Sequence, residues 1–171
     1  MSHLEYEKDL YETRNDLVKE ISLLSYDDFN NRCDRSKWSI AQVCHHLILV
    51  EKATTKAITW GLKESTSTEK ERKNVQLMLD RTKKLKAPKI VEPDTEPFGV
   101  QQIINMLNDS RKNLITLLNT VEDKSILMKK SVKHPAFDEL PLDQWIEQIY
   151  LHEQRHIEQI KEIKVLLDVR D

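Results

Sequence analysis

The sequence predicts an all-α protein, a four-helix bundle joined by long crossover connections. Three observations carry this. Four long segments repeat apolar residues at intervals of three and four, as one buried helix face requires. No segment alternates apolar and polar residues as a half-buried strand would. Glycine occurs only twice in 171 residues, which leaves little material for tight hairpins, phosphate loops or dinucleotide fingerprints. A chain of this length suits one domain, residues 1–171.

The first helix is expected over His3 to Leu24, with Leu4, Leu10, Tyr11, Leu17, Ile21 and Leu24 recurring between charges. Ser25 to Lys37 is a polar connection with a short helical turn near Asp27 to Asn30. The second helix has the clearest start. Ser39 precedes Gln42 by three positions, the capping-box spacing in which each side chain satisfies a free backbone N–H. It should run to about Trp60, with Gly61 as the residue that ends it. Lys63 to Lys86 is rich in basic residues, and its weak apolar face predicts a solvated helix between Glu69 and Leu85.

Pro88, Pro93 and Pro97 make Ala87 to Gly99 an extended connection, because proline lacks an N–H and restrains its neighbour. The third helix spans Val100 to Val121, its buried side marked by Ile103, Ile104, Leu107, Leu114 and Leu118. Glu122 to Leu140 is read as irregular. The fourth helix starts near Pro141, a residue favoured in a first turn, and continues to Leu167.

Composition narrows the function. Lys and Arg number 27 against 29 Asp and Glu, a balance that does not suit a nucleic-acid binder. No apolar run is long enough to span a membrane, and the acidic N-terminus lacks a signal-peptide core. Cys33 and Cys44 form neither a disulfide framework nor a Cys-rich zinc site, so a soluble, reduced, cytoplasmic protein is expected.

Histidines carry the chemistry. His152 and His156 stand four residues apart, so about 40° separates them around a helix and both rings share one face. The stripe through Trp145, Ile149, Ile160, Ile163 and Leu167 passes through that face, which places both rings inward. Two buried imidazoles need partners, and protonating both would set like charges together in low dielectric. A divalent metal on neutral ring nitrogens answers both demands. A third ligand is expected from His46, which interrupts the stripe Ser39, Val43, Val50, Ala53, Ala57 and Trp60 on the second helix. His45, turned by about 100°, is expected on an edge. Three histidines without a carboxylate favour zinc or nickel over magnesium or calcium, and leave coordination positions open for water.

Other residues receive lesser roles. Gln159 is placed to orient a ring or a water. Glu153 and Arg155 read as bundle-edge charges, with Arg155 alternatively holding a substrate carboxylate. His134 sits before a proline in an expected exposed loop, or at a pocket mouth. Glu51, beside Lys52, reads as a surface residue; Trp60 and Trp145 read as core, and Trp38 as a staple at the start of the second helix. No carboxylate stands out as a general base.

The chain resembles the DinB/YfiT-like superfamily. The resemblance rests on Lys37-Trp38-Ser39 leading into His45-His46-Leu47, on His134-Pro135-Ala136-Phe137, and on Leu140-Pro141-Leu142-Asp143-Gln144-Trp145 leading into His152-Glu153-x-Arg155-His156-x-x-Gln159. It covers most of the chain. It implies a four-helix bundle with a long crossover, one divalent metal on His46, His152 and His156, and often a homodimer. It also implies a small-molecule substrate. Members include transferases of low-molecular-weight thiols and others labelled hydrolases. The expected function is therefore a metal-dependent hydrolase or thiol transferase with a thiol cosubstrate. The alternative is a non-catalytic metal- or ligand-binding stress-response bundle.

Overall fold

The computed structural model describes residues 3–66 and 69–169. Its helices are α1 (His3–Ile21), α2 (Tyr26–Asn30), α3 (Ile40–Glu64), α4 (Val100–Asn119), α5 (Ile126–Lys129) and α6 (Leu142–Leu166). A two-stranded sheet, β1 (Ser131–His134) with β2 (Asp138–Pro141), completes the fold, beside 3₁₀ turns at Val75–Leu79 and Lys89–Val91. The four long helices expected from the periodicity are present. The side chain of Leu4, counted on the first stripe, lies outside those described.

The packing is not up-down-up-down. α3 packs against α4 and α6, and α1 packs against α6. Setting α3 against α6, helices that would stand diagonally apart in that topology, requires the long crossovers, and the α3–α4 connection runs across α6, burying Val75 and Met78 there. Among the described residues no helix is long and apolar enough to cross a membrane.

Local chemistry sets the helix starts. Ser39 accepts from the Gln42 backbone at 3.1 Å while the Gln42 side chain accepts from the Ser39 backbone at 3.0 Å, the reciprocal box foreseen above. Ser25 likewise caps α2 by accepting from Asp28.

Four expectations need correction. Gly61 does not end the second helix; α3 continues to Glu64. A Cβ on Gly61 would lie 2.7 Å from Val132 Cγ2 and 2.8 Å from Leu142 Cδ2, so glycine is there to admit β1 and the start of α6. Trp60 is 55% exposed, because the stripe chosen through His46 faces a cavity and then solvent. The buried face of α3 runs through Ile48, Glu51, Thr54 and Ile58 instead. Between Glu69 and Leu85 only the five-residue 3₁₀ turn forms. That segment is held by α6, with Gln144 bonding both the N–H and the carbonyl of Lys73. Finally, the region read as irregular contains α5 and the antiparallel pair in which His134 faces Asp138. Its reversal through Pro135–Phe137 uses Asp138 at φ 56°, a left-handed position filled without the glycine or asparagine that would have signalled it.

Two apolar clusters fill the bundle. One gathers Leu10, Ile58, Leu114 and Ile149, and the other Leu17, Ile48, Leu107 and Ile160. Between them lies a layer of buried polar groups, described below.

Candidate metal centre

α3 and α6 lie side by side, and each turns histidine toward the other. The Nε2 atoms of His46 and His152 are 3.3 Å apart, and those of His156 and His152 3.0 Å. One ligating atom from each of the three rings falls within 4.8 Å of the others. The rings meet nearly edge to face, at interplanar angles of 68°, 75° and 87°. The i, i+4 spacing on α6 and the stripe on α3 are what bring them together.

The outer nitrogens fix the protons. His46 Nδ1 lies 2.7 Å from the carbonyl of Val91, which can only accept, so Nδ1 carries the hydrogen. His156 Nδ1 lies 2.7 Å from Gln159 Oε1 and donates in the same way. The Nε2 lone pairs of both rings therefore point toward His152 Nε2. One hydrogen on that atom satisfies only one of them, whereas a cation among the three nitrogens satisfies all. The donor set thus fits a divalent metal, with Val91 and Gln159 orienting two ligands. Trp38 packs on His46 with ring centroids 4.9 Å apart.

Burial keeps these rings neutral. Desolvation, reinforced by the neighbouring His46, lowers the His156 pKa to about 3. It pushes His152 well below its ordinary value, with His156 and His46 adding to the effect, and lowers His46 as well. Neutral imidazole is the form that binds metal.

The trio opens onto a cavity of about 830 Å³. Trp38, Val50, Ala53, Trp145 and Ile163 give it apolar walls. A volume in this range suits a small molecule.

The family model of the DinB superfamily matches residues 9–160. The chain belongs to the DinB superfamily. Protein YuaE of Bacillus subtilis, itself uncharacterized, is 31% identical over 153 residues, covering 90% of this chain and 93% of YuaE. Two solved structures share the fold of this DinB protein. YfiT from Bacillus subtilis, described as a probable metal-dependent hydrolase with an unusual four-helix bundle topology, superposes with a TM-score of 0.68 at 17% identity, covering 98% of this chain and 90% of YfiT. TT2238, a four-helix bundle protein, gives 0.62 at 15% identity, covering 92% and 97%.

The other expected residues of this DinB protein divide. Gln159 touches His156, as anticipated. His134 is buried in β1 rather than exposed in a loop, and borders the cavity. Its ring meets Trp145 edge to face with centroids 4.5 Å apart, and burial, opposed by a hydrogen bond with Gln148, lowers its pKa to about 4. Arg155 borders the cavity too, but it is no bundle-edge charge. Its guanidinium donates to the carbonyls of Met78, Asp80 and Lys83, which pins that connection over the cavity. His45 is buried rather than on an edge, accepts from the Asp94 backbone at 3.0 Å, and stays out of the trio.

Glu51 and Glu153 are the largest departures. The sequence places Glu51 on the surface and Glu153 at the bundle edge, yet each is at most 2% exposed. They lie in the polar layer between the two apolar clusters. Arg14 reaches both, at 3.2 Å and 3.0 Å, and Arg111 reaches both, at 2.8 Å and 3.2 Å. Ser110, Thr13 and the carbonyls of Leu107 and Leu10 complete the set. Arg14 had a sequence signal: it interrupts the stripe Leu10, Leu17, Ile21 at intervals of four, three and four.

Proposed function

We propose that this DinB protein is a metal-dependent hydrolase of a small molecule, with His46, His152 and His156 holding one divalent ion per chain. The convergence of three Nε2 atoms, two of them fixed as acceptors by Val91 and Gln159, carries the reading. Bound there, a divalent ion supplies Lewis acidity that activates water and polarises a substrate oxygen. Imidazole donors suit zinc or nickel. Three protein ligands leave positions for water and substrate.

The protein's own groups do the rest. Trp145 and Val50 give an apolar wall for the substrate body. Arg155 holds the connection at Met78–Lys83 in place and so limits the entry of bulk water. Glu51 and Glu153 are committed to Arg14 and Arg111 and do not line the cavity.

The breadth of the cavity favours a second reading, transfer of a low-molecular-weight thiol to an electrophile. About 830 Å³ admits a cosubstrate beside the substrate. A thiolate is also a good zinc ligand.

Elemental analysis of untagged protein tests the site, followed by ester, amide and thiol–electrophile panels on the loaded form. One ion per chain with hydrolytic turnover supports the first reading. Turnover only with a thiol supports the second. Metal without turnover favours a non-catalytic binding bundle. A homodimer, implied by the resemblance, is checked by light scattering.

A further inference from the structure

One turn before His152 on α6, a second polar cluster borders the same cavity. His134 Nδ1 accepts from the Ala136 N–H at 3.0 Å, so the ring's hydrogen sits on Nε2. The ring hydrogen-bonds Gln148, which therefore offers it the amide oxygen. The Gln148 amide nitrogen then faces α3 and donates to Thr54 Oγ1 at 3.3 Å. The direction of this chain is fixed from the hairpin to α3.

Two hydrogens remain over. One is the second amide hydrogen of Gln148, and the other is the hydroxyl hydrogen of Thr54. Neither finds an acceptor among the described residues. The contrast with neighbouring threonines is clear: Thr55 and Thr59 donate back to carbonyls of their own helix, whereas Thr54 turns toward Gln148. Gln148 is 2% exposed and Thr54 1%, and both line the cavity. A buried donor without an acceptor is costly, so a site that keeps two of them side by side is arranged for an oxygen.

We propose that Gln148 and Thr54 form a two-donor pocket for a carbonyl-type oxygen of the substrate, with His134 as the residue that orients Gln148. This rests on the metal-site reading for the other end of the molecule. Gln148 and His152 stand four positions apart on α6, a rise of about 6 Å. The oxygen bound here is therefore a second function, separate from the group that meets the histidines. The substrate class is a small bifunctional molecule, such as an amide-bearing ester or acid, with a short apolar spacer lying against Trp145.

The test compares two hydroxamates by calorimetry on zinc-loaded protein. One derives from succinamic acid and carries a distal amide; the other derives from pentanoic acid and carries a methyl group there. The wild type should bind the amide form at least about tenfold more tightly, the scale of one hydrogen bond. Gln148→Leu and Thr54→Val should each abolish that preference and leave pentanohydroxamate affinity and zinc content unchanged. His134→Phe should weaken the preference without a change in zinc content. Equal affinities in the wild type, or a preference that survives both α3 and α6 substitutions, overturns the proposal. Should zinc fail to bind, the metal reading falls by itself. The donor pair is then read in the metal-free protein from the Gln148 side-chain amide resonance during titration with propionamide: a shift supports the pocket, and no shift overturns it.

Discussion

His46 and His152 face each other from different helices with their Nε2 atoms 3.3 Å apart, and the outer nitrogen of His46 is tied to the Val91 carbonyl. The pair is thus organised from outside inward, by groups that never reach the centre. His156 and Gln159 repeat the arrangement one turn further along.

Metal affinity should follow that order. His152→Ala is expected to remove the ion altogether. Gln159→Leu, which leaves all three ligands, should weaken binding by about 10–100-fold, the usual cost of losing a group that orients a ligand. Competition with a chromophoric chelator measures both. Unchanged affinity in Gln159→Leu would show that the His156 contact does not orient the ring.

The metal-free protein should lose stability in acid. His156, His134, His152 and His46 all have folded pKa values below the ordinary value of about 6.5. Below about pH 6.5 the unfolded chain takes up protons that the folded chain refuses, so stability is fully present above that pH and declines as pH falls toward the folded values. Each unit of difference corresponds to about 1.4 kcal/mol. Urea midpoints at about pH 7.5, 6 and 5 should fall in that order; a constant midpoint would contradict the burial of these rings.

Removing one member of the charged layer should be severe. Arg14→Met leaves Glu153 and Glu51 to share the single cation Arg111, and a broken buried pair costs about 3–5 kcal/mol. The double change Arg14→Met with Glu153→Leu should recover a large part of that loss. Denaturant unfolding of the double variant and of both single variants decides it, and additive losses would show that the two residues are not coupled.

Arg155→Ala should loosen the cavity's cover rather than the bundle. Its guanidinium is the common partner of the Met78, Asp80 and Lys83 carbonyls. Trypsin cleavage at Lys83, Lys84 and Lys86 should accelerate by about tenfold or more while the melting temperature shifts by only a few degrees, as expected for local opening. Unaltered cleavage would show that other contacts hold this connection.

Much of this arrangement was legible in the sequence. The Ser39–Gln42 box, the stripe through His152 and His156, and the interruption at His46 are all local patterns, and local patterns survive folding. What escaped depends on partners distant in the chain. Glu51 and Glu153 look like surface charges until Arg14 and Arg111 arrive from other helices. The hairpin was hidden because its strands are only 4 residues each and no glycine marks the turn that Asp138 closes at positive φ. The Val75–Leu79 segment follows no propensity of its own and is shaped by α6. Trp60 shows the reverse error: its stripe is real but opens onto the cavity and then solvent.

The charged layer also bears on how the bundle assembles. Its two cations come from α1 and α4, and its two anions from α3 and α6. An intermediate holding only α3 and α6 would bring Glu51 and Glu153 together with no counter-charge between them. Such a half-formed pair is penalised rather than rewarded, so the helices that carry the histidines gain stability only when the outer two dock. The protein is built to cohere as one cooperative unit, and the histidine-bearing pair of helices has no stable existence without its flanks.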